Sequence, residues 1–298
     1  MFIITSLLFL LFISLILVYG IRWFVISNST DYYKRFGEST IFTNLHKKEG
    51  LRALWAFIVE YIYYLLHLLM IIIDYIVSIY SYLLKRSTKD IPPLSQQEKG
   101  IESKDKNPII MIHGYMVRAG TMWVIKRRLI SDGWKEIYMW DYIPPYKEGI
   151  PYYAQRLKEK VNEILERSGA EKVDMVCHSM GGLVARHYIS HLGGDIKVKR
   201  LVTIGTPHNG SGLWSFSIGR SGKDMRPGSE FLMKLGSIPP GILTTSIYTT
   251  FDELVIPYQS CKIEGEGVIN REEGYIGHAG LLFSKRIYNL IKEGLSRE

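Results

Sequence analysis

Ser179 is the residue whose setting most clearly proposes chemistry. It sits in Val176-Cys-His-Ser-Met-Gly-Gly182, where an apolar, β-prone run from Lys172 meets the helix-forming stretch 182–190. A strand, a sharp turn and a helix around a serine make a nucleophile elbow, which lifts the hydroxyl clear of a sheet. A serine hydroxyl is a weak nucleophile at neutral pH. It requires a neighbouring base, an acid to orient that base, and donors for the oxyanion. The usual pattern is G-x-S-x-G, and here Cys177 holds the first glycine position.

The partners follow by elimination. On a strand-turn-helix elbow the chain order is serine, acid, histidine. Downstream of Ser179 the histidines are His187, His191, His208 and His278. His187 and His191 lie on the helix that leaves the elbow, and His208, in Gly205-Thr-Pro-His-Asn-Gly210, precedes the carboxylates that could serve. His278, in Gly277-His-Ala-Gly280, fits the order and is the expected base. Asp252 follows the β-prone segment 243–251 and precedes Val255-Ile-Pro257, so it occupies a turn after a strand and is the expected acid, with Glu253 its near rival. The oxyanion donors are expected from the backbone N–H of Met180, directly after the serine, and of Tyr115, after the apolar strand Pro108–Ile112 and His113-Gly114.

Other conspicuous residues read as structural. His113 and His178 flank reactive backbone and are expected to hold their loops by hydrogen bonding. Asp174 alternates away from Cys177 along its strand and is expected to pair with backbone or a lysine. No spacing of His, Cys, Asp or Glu resembles a zinc site, and the acidic run 264–273 lacks a calcium-loop pattern, so neither metal nor cofactor is expected. Cys177 and Cys261 are the only cysteines and outline no disulfide framework.

Positioning such a site takes a layered scaffold, and from Pro108 onward β-prone and helical stretches alternate as in an α/β fold with a mostly parallel sheet. Strands are expected over 109–112, 136–140, 172–177, 199–204 and 243–249, and helices over 121–131, 151–168, 182–191, 229–235 and 281–295. The stretch 209–249, with Trp214, Phe216, Phe231 and Leu232, is the one from which a cap over the site could be built. Residues 85–107, with Pro92-Pro93 among charges, read as a linker, leaving 108–298 as the catalytic domain.

The N-terminal part, 1–84, has a different character. Residues 1–21 carry no charge, and about twenty apolar residues span a bilayer core. The absence of a basic leading segment and of a small-residue cleavage site favours an uncleaved transmembrane helix within 1–27 over a signal peptide. Residues 51–84 form a second long hydrophobic helix with one polar stripe, Glu60, His67 and Asp74 recurring every seven residues, continued by Ser78 and Ser81. That stripe needs a partner: the first helix, a second copy of the chain in a homo-oligomer, or the polar surface of the catalytic domain. The net charge of +8 includes basic residues beside these runs, which suits a membrane surface; no basic stripe interleaved with aromatics points to nucleic acid. If both segments span, Arg22, Lys34, Arg35, Lys47, Lys48 and Arg52 are cytoplasmic and the catalytic domain faces outward. If the second lies in the interface, the orientation reverses.

Taken in order, Ile112-His-Gly114, Val176–Gly182, Thr206-Pro-His-Asn-Gly-Ser211, Met225-Arg-Pro-Gly-Ser229, Asp252 before Val255-Ile-Pro257, and Gly277-His278 resemble the α/β-hydrolase lipases and esterases. The resemblance is to bacterial triacylglycerol lipases and to relatives that deacylate membrane lipids, and it covers roughly 108–295. It implies Ser179, Asp252 and His278 as triad and an apolar acyl groove. The expected function is therefore a membrane-anchored serine hydrolase of lipid carboxylic esters. Transfer of the same acyl group to an alcohol, and a non-catalytic membrane scaffold on this fold, are the other readings. Cys177 and the hydrophobic N-terminal region are departures from secreted lipases.

Overall fold

The computed structural model describes residues 107–298, apart from 143, 145 and 214–216, together with helical positions scattered over 58–76. The expected first transmembrane segment and the linker 85–107, but for Asn107, lie outside the described residues, as does most of 51–84. Among the described residues no helix is long and apolar enough to cross a membrane.

Six strands form one all-parallel sheet: β1 (Ile109–Ile112), β2 (Ile137–Trp140), β3 (Val173–His178), β4 (Val198–Ile204), β5 (Leu243–Thr249) and β6 (Val268–Glu273), in the spatial order β2-β1-β3-β4-β5-β6. The helices are α1 (Trp123–Ser131), α2 (Ile150–Ser168), α3 (Met180–His191), α4 (Gly219–Asp224), α5 (Glu230–Leu235) and α6 (Lys285–Leu295). β1 and β3 are buried along their whole length because both faces of a parallel sheet are covered by helices, which is why β1 reads as an unbroken apolar run and β3 as a mainly apolar one interrupted by Asp174. On one face Ile110, Ile112, Met175 and Cys177 pack against α2 and α3. On the other, Ile109, Met111, Val176 and Val202 pack against α1 and α6.

The helices begin and end where local chemistry directs. Ser284 caps α6 by accepting the N–H of Ile287, and α2 stops at Gly169, whose φ of 67° is the left-handed conformation that suits glycine. Two elements differ from expectation. β6 arises within the acidic run, as an edge strand with much of its length exposed, so the apolar signal of a buried strand is missing. α4 was not foreseen either, since Gly-Arg-Ser-Gly-Lys-Asp has no helical periodicity.

The connection after β1 leads outward to β2, whereas β3 lies on the other side of β1. The strand order therefore switches between β1 and β3, and in open parallel sheets the crevice beyond such a switch, at the carboxyl ends of the strands, is where ligands sit. Ser179 and Gly114-Tyr115 emerge there.

Candidate active site

Ser179 joins β3 to α3 with φ 52° and ψ −127°, a conformation that L residues adopt only where surrounding packing enforces it. The enforcement is visible at its glycines. A Cβ on Gly181 would stand 2.5 Å from the His113 carbonyl oxygen and 2.6 Å from that of Ile112, and one on Gly182 would overlap the Thr206 side chain, with Cγ2 at 2.7 Å. A Cβ on Gly114 would come 2.9 Å from the Cβ of Ser179. Gly181 thus lets α3 start hard against the end of β1, Gly182 lets it pass Thr206 after β4, and Gly114 lets the β1 loop close on the nucleophile. Cys177 is wholly buried with its side chain in the α2/α3 core, and burial pushes its thiol far up, so it is no competing nucleophile.

The expected acid and base are brought together. His278 Nδ1 lies 2.8 Å from Asp252 Oδ2, both groups buried. The other oxygen, Oδ1, accepts the N–H groups of Leu254 at 2.9 Å and Val255 at 2.7 Å, so the turn after β5 holds the carboxylate rigidly. Burial by itself would lower the His278 pKa. The charge and hydrogen bond of Asp252, helped by Glu253, outweigh it and leave the imidazole raised above its ordinary 6.5.

Glu253 has a part that spacing alone did not reveal. Its Oε2 accepts the backbone N–H of His278 at 2.9 Å, so the two adjacent carboxylates hold one histidine by ring and by main chain. Burial, and then the charge of Asp252, push Glu253 up to about 7. A charged residue at 2 % exposure is the kind of signal that only tertiary structure can supply.

Ser179 and His278 share a pocket of about 250 Å³, whose apolar walls include Val117, Leu213, Met225, Leu254 and Val255. Gly114 and Tyr115 also line it. Met180 is the first residue of α3, where a backbone N–H has no intrahelical acceptor. The Tyr115 hydroxyl bonds both the carbonyl and the N–H of Ile218, each at 2.6 Å, and so ties the β1 loop to the segment entering α4. Of the cap candidates, Trp214 and Phe216 lie outside the described residues. Phe231 and Leu232 pack against the α2/α3 core instead of the pocket.

Among the described residues, other histidines are engaged elsewhere. The His113 ring lies 2.9 Å from both Asp141 Oδ1 and the Gly114 carbonyl and stacks on Tyr142, holding the β1 loop. His178 packs its ring 4.8 Å from that of His278. His208 is buried against Thr203 and Arg186, which holds its pKa well below the ordinary value, and burial lowers His187 to about 4. Asp174 pairs with Arg200 at 3.0 Å and Asn107 at 3.2 Å, an arginine where a lysine or backbone partner was expected. Among the described residues no group of three or more His, Cys, Asp and Glu is arranged to hold a metal.

Comparison with known proteins agrees with this architecture. Residues 108–237 match the family model described as palmitoyl protein thioesterase. A 63-residue stretch is 39 % identical to a triacylglycerol lipase of Pseudarthrobacter phenanthrenivorans, covering 21 % of this chain and 19 % of that protein. It is likewise 39 % identical to one of Burkholderia plantarii, covering 21 % and 17 %. The chain thus aligns with about a fifth of the length of these curated relatives. Among solved structures, Aspergillus fumigatus lipase B superposes with a TM-score of 0.58 at 20 % identity, over 70 % of this chain and 56 % of that one. The mature form of Bacillus licheniformis lipase BlEst2 gives 0.58 at 16 % identity, over 66 % and 95 %. The described domain has the α/β-hydrolase fold.

Proposed function

We propose that this α/β-hydrolase is a membrane-attached serine hydrolase that cleaves carboxylic esters of lipids. The observation that carries the reading is the convergence, in one mainly apolar pocket, of Ser179 on its strained elbow with His278 and its buried partner Asp252. Ser179 Oγ attacks the ester carbonyl while His278 Nε2 takes its proton. The oxyanion is received by the backbone N–H groups of Met180 and Tyr115, and Asp252 stabilises the imidazolium through Nδ1. His278 then returns the proton to the leaving alcohol, which departs and leaves an acyl ester on Ser179. In the second half His278 deprotonates water, which attacks the acyl group and frees Ser179 and a carboxylic acid.

Membrane attachment is supported by the uncharged run 1–21 and the basic residues that follow it. The lipid character of the substrate is supported by the apolar pocket walls and by the lipase relatives. The match to a palmitoyl protein thioesterase model favours a second substrate form, a long-chain acyl thioester, which Ser179 would attack to release the thiol and form the same acyl-enzyme.

Labelling of the purified chain with a fluorophosphonate probe tests the nucleophile: wild type is labelled and Ser179→Ala is not. An activity profile over esters and thioesters of increasing chain length, with Ser179→Ala as blank, tests the substrate. Preference for short soluble esters would remove the lipid assignment and leave the nucleophile intact.

A further inference from the structure

The described positions of the second hydrophobic helix show which way its sides face. Ile58, Ile62, Leu66, Leu69, Ile72 and Ile76 are all between 41 % and 59 % exposed. At about 100° per residue they fall in a single arc of about 120°, forming a continuous aliphatic stripe. Eighteen rises of about 1.5 Å, from residue 58 to residue 76, make that stripe about 27 Å long. Tyr63 lies outside the arc, and its ring stacks on Phe283 with centroids 5.5 Å apart and planes within 4°. Phe283 is itself buried in the core cluster between the sheet and α1/α6, so the contact is with the body of the catalytic domain. In the sequence, Tyr63 falls on the same side of the helical wheel as Glu60, His67 and Asp74.

Were this stripe of about 27 Å to span the hydrocarbon core, Tyr63, five residues from its start, would lie about 7.5 Å inside it, and the polar surface of the domain stacked there would enter hydrocarbon. A helix that lies in the interface has this construction: a polar side toward the protein and an apolar side toward acyl chains. We propose that residues 58–76 lie flat in the membrane interface with the Ile58-to-Ile76 stripe inserted among lipid acyl chains, docking the catalytic domain on the membrane. The occupant is taken to be lipid because the stripe is purely aliphatic and Lys47, Lys48, Arg52, Lys85 and Arg86 flank it in sequence, suiting anionic headgroups. The apolar run 1–21 also brings the same chain to a membrane. With the helix in the interface and the run 1–21 crossing, the catalytic domain stays on the side of Arg22, Lys34 and Arg35, which the positive-inside tendency makes cytoplasmic. This is opposite to the outward orientation expected had both segments spanned.

The inference rests on the membrane attachment proposed above but not on ester hydrolysis, and its test uses the full-length Ser179→Ala chain. Cys177 and Cys261 are buried, so a thiol-reactive fluorophore reports the introduced cysteine in each of Ile62→Cys, Leu69→Cys and Ile76→Cys. Each labelled chain is reconstituted in vesicles of zwitterionic and anionic phospholipid carrying shallow or deep nitroxide quenchers, with Tyr152→Cys on the exposed domain surface as the unquenched reference. The expected result is stronger quenching by the shallow nitroxide at all three positions, with depths agreeing to within one helical turn, about 5.4 Å. Depths that progress through the bilayer centre from 62 to 76 would show a spanning helix and overturn the proposal. Absence of quenching at all three would show a stripe left in water or covered by protein, and would overturn it equally. Loss of ester hydrolysis in the wild type alone bears on the substrate reading and leaves the depth result standing.

Discussion

Replacing Asp252 by asparagine tests the assignment of the acid at atomic detail. Oδ1 of Asp252 is committed to two backbone donors, Leu254 and Val255, at 2.9 Å and 2.7 Å. An asparagine can keep both bonds only by placing its carbonyl oxygen there, which turns its NH₂ toward His278 Nδ1. Two donors cannot face each other, so the imidazole must present Nδ1 as acceptor and carry its proton on Nε2. In that tautomer Nε2 cannot take the proton from Ser179. The comparable change in serine hydrolases that use this constellation lowers kcat by about 10⁴, corresponding to about 5 kcal/mol of transition-state stabilisation. Folding should change little, since the turn bonds survive. Steady-state hydrolysis of a chromogenic ester, with thermal unfolding of the same samples, measures both. Glu253→Gln is the companion: a Gln Oε1 can still accept the His278 N–H, and the loss should stay within about tenfold, the cost of one modest electrostatic contribution. If Asp252→Asn retained more than a tenth of the activity, or Glu253→Gln fell as far, the acid would have been misassigned.

The remaining predictions concern pH, packing and the elbow. Because Asp252 and Glu253 hold the His278 pKa above its ordinary value, activity should rise with pH through a midpoint above 6.5, and Glu253→Gln should move that midpoint lower in a kcat/KM profile. Glu253 is an acid whose folded pKa, about 7, exceeds its ordinary 4.5, so the protonated form favours folding and its contribution is lost as pH rises through about 7. The gain in melting temperature of Glu253→Gln over wild type should therefore be larger at alkaline than at mildly acidic pH. Gly182→Ala forces a methyl into Thr206 and should destabilise by about 1–3 kcal/mol in denaturant unfolding, with partial relief by Thr206→Ala. Cys177→Gly removes a fully buried side chain from β3 and should cost about 1–2 kcal/mol of stability with hydrolysis nearly unchanged; a large loss of activity there would show that the elbow depends on the thiol.

Much of the site was legible because its parts obey local or ordinal rules. Ser179 was marked by the small residues that a tight elbow demands, and the steric reason is now explicit at Gly181 and Gly182. His278 and Asp252 followed from chain order. β1 was legible as an apolar run, and β3, β4 and β5 as β-prone stretches. β6 was not, because an edge strand is stabilised by its ladder to β5 and needs no apolar face. Glu253 was weighed only as a rival acid, since a carboxylate in a turn reads as exposed until the loops around it are placed. The arginine partner of Asp174 comes from β4, 26 residues away, and pairing across strands depends on register.

By itself, then, the sequence determined most of the elements, the chain order of the candidate nucleophile, acid and base, and the amphipathic pattern of residues 51–84, because these depend on side-chain periodicity and turn chemistry within short stretches. Only the tertiary structure decided that two carboxylates hold His278 in different ways, that Phe231 and Leu232 join the core instead of the pocket, and that Tyr63 faces the catalytic domain while the Ile58-to-Ile76 stripe faces away. Those outcomes turn on which surfaces meet across long separations in the chain, and burial, charge pairing and the direction of a helix face arise only when they do.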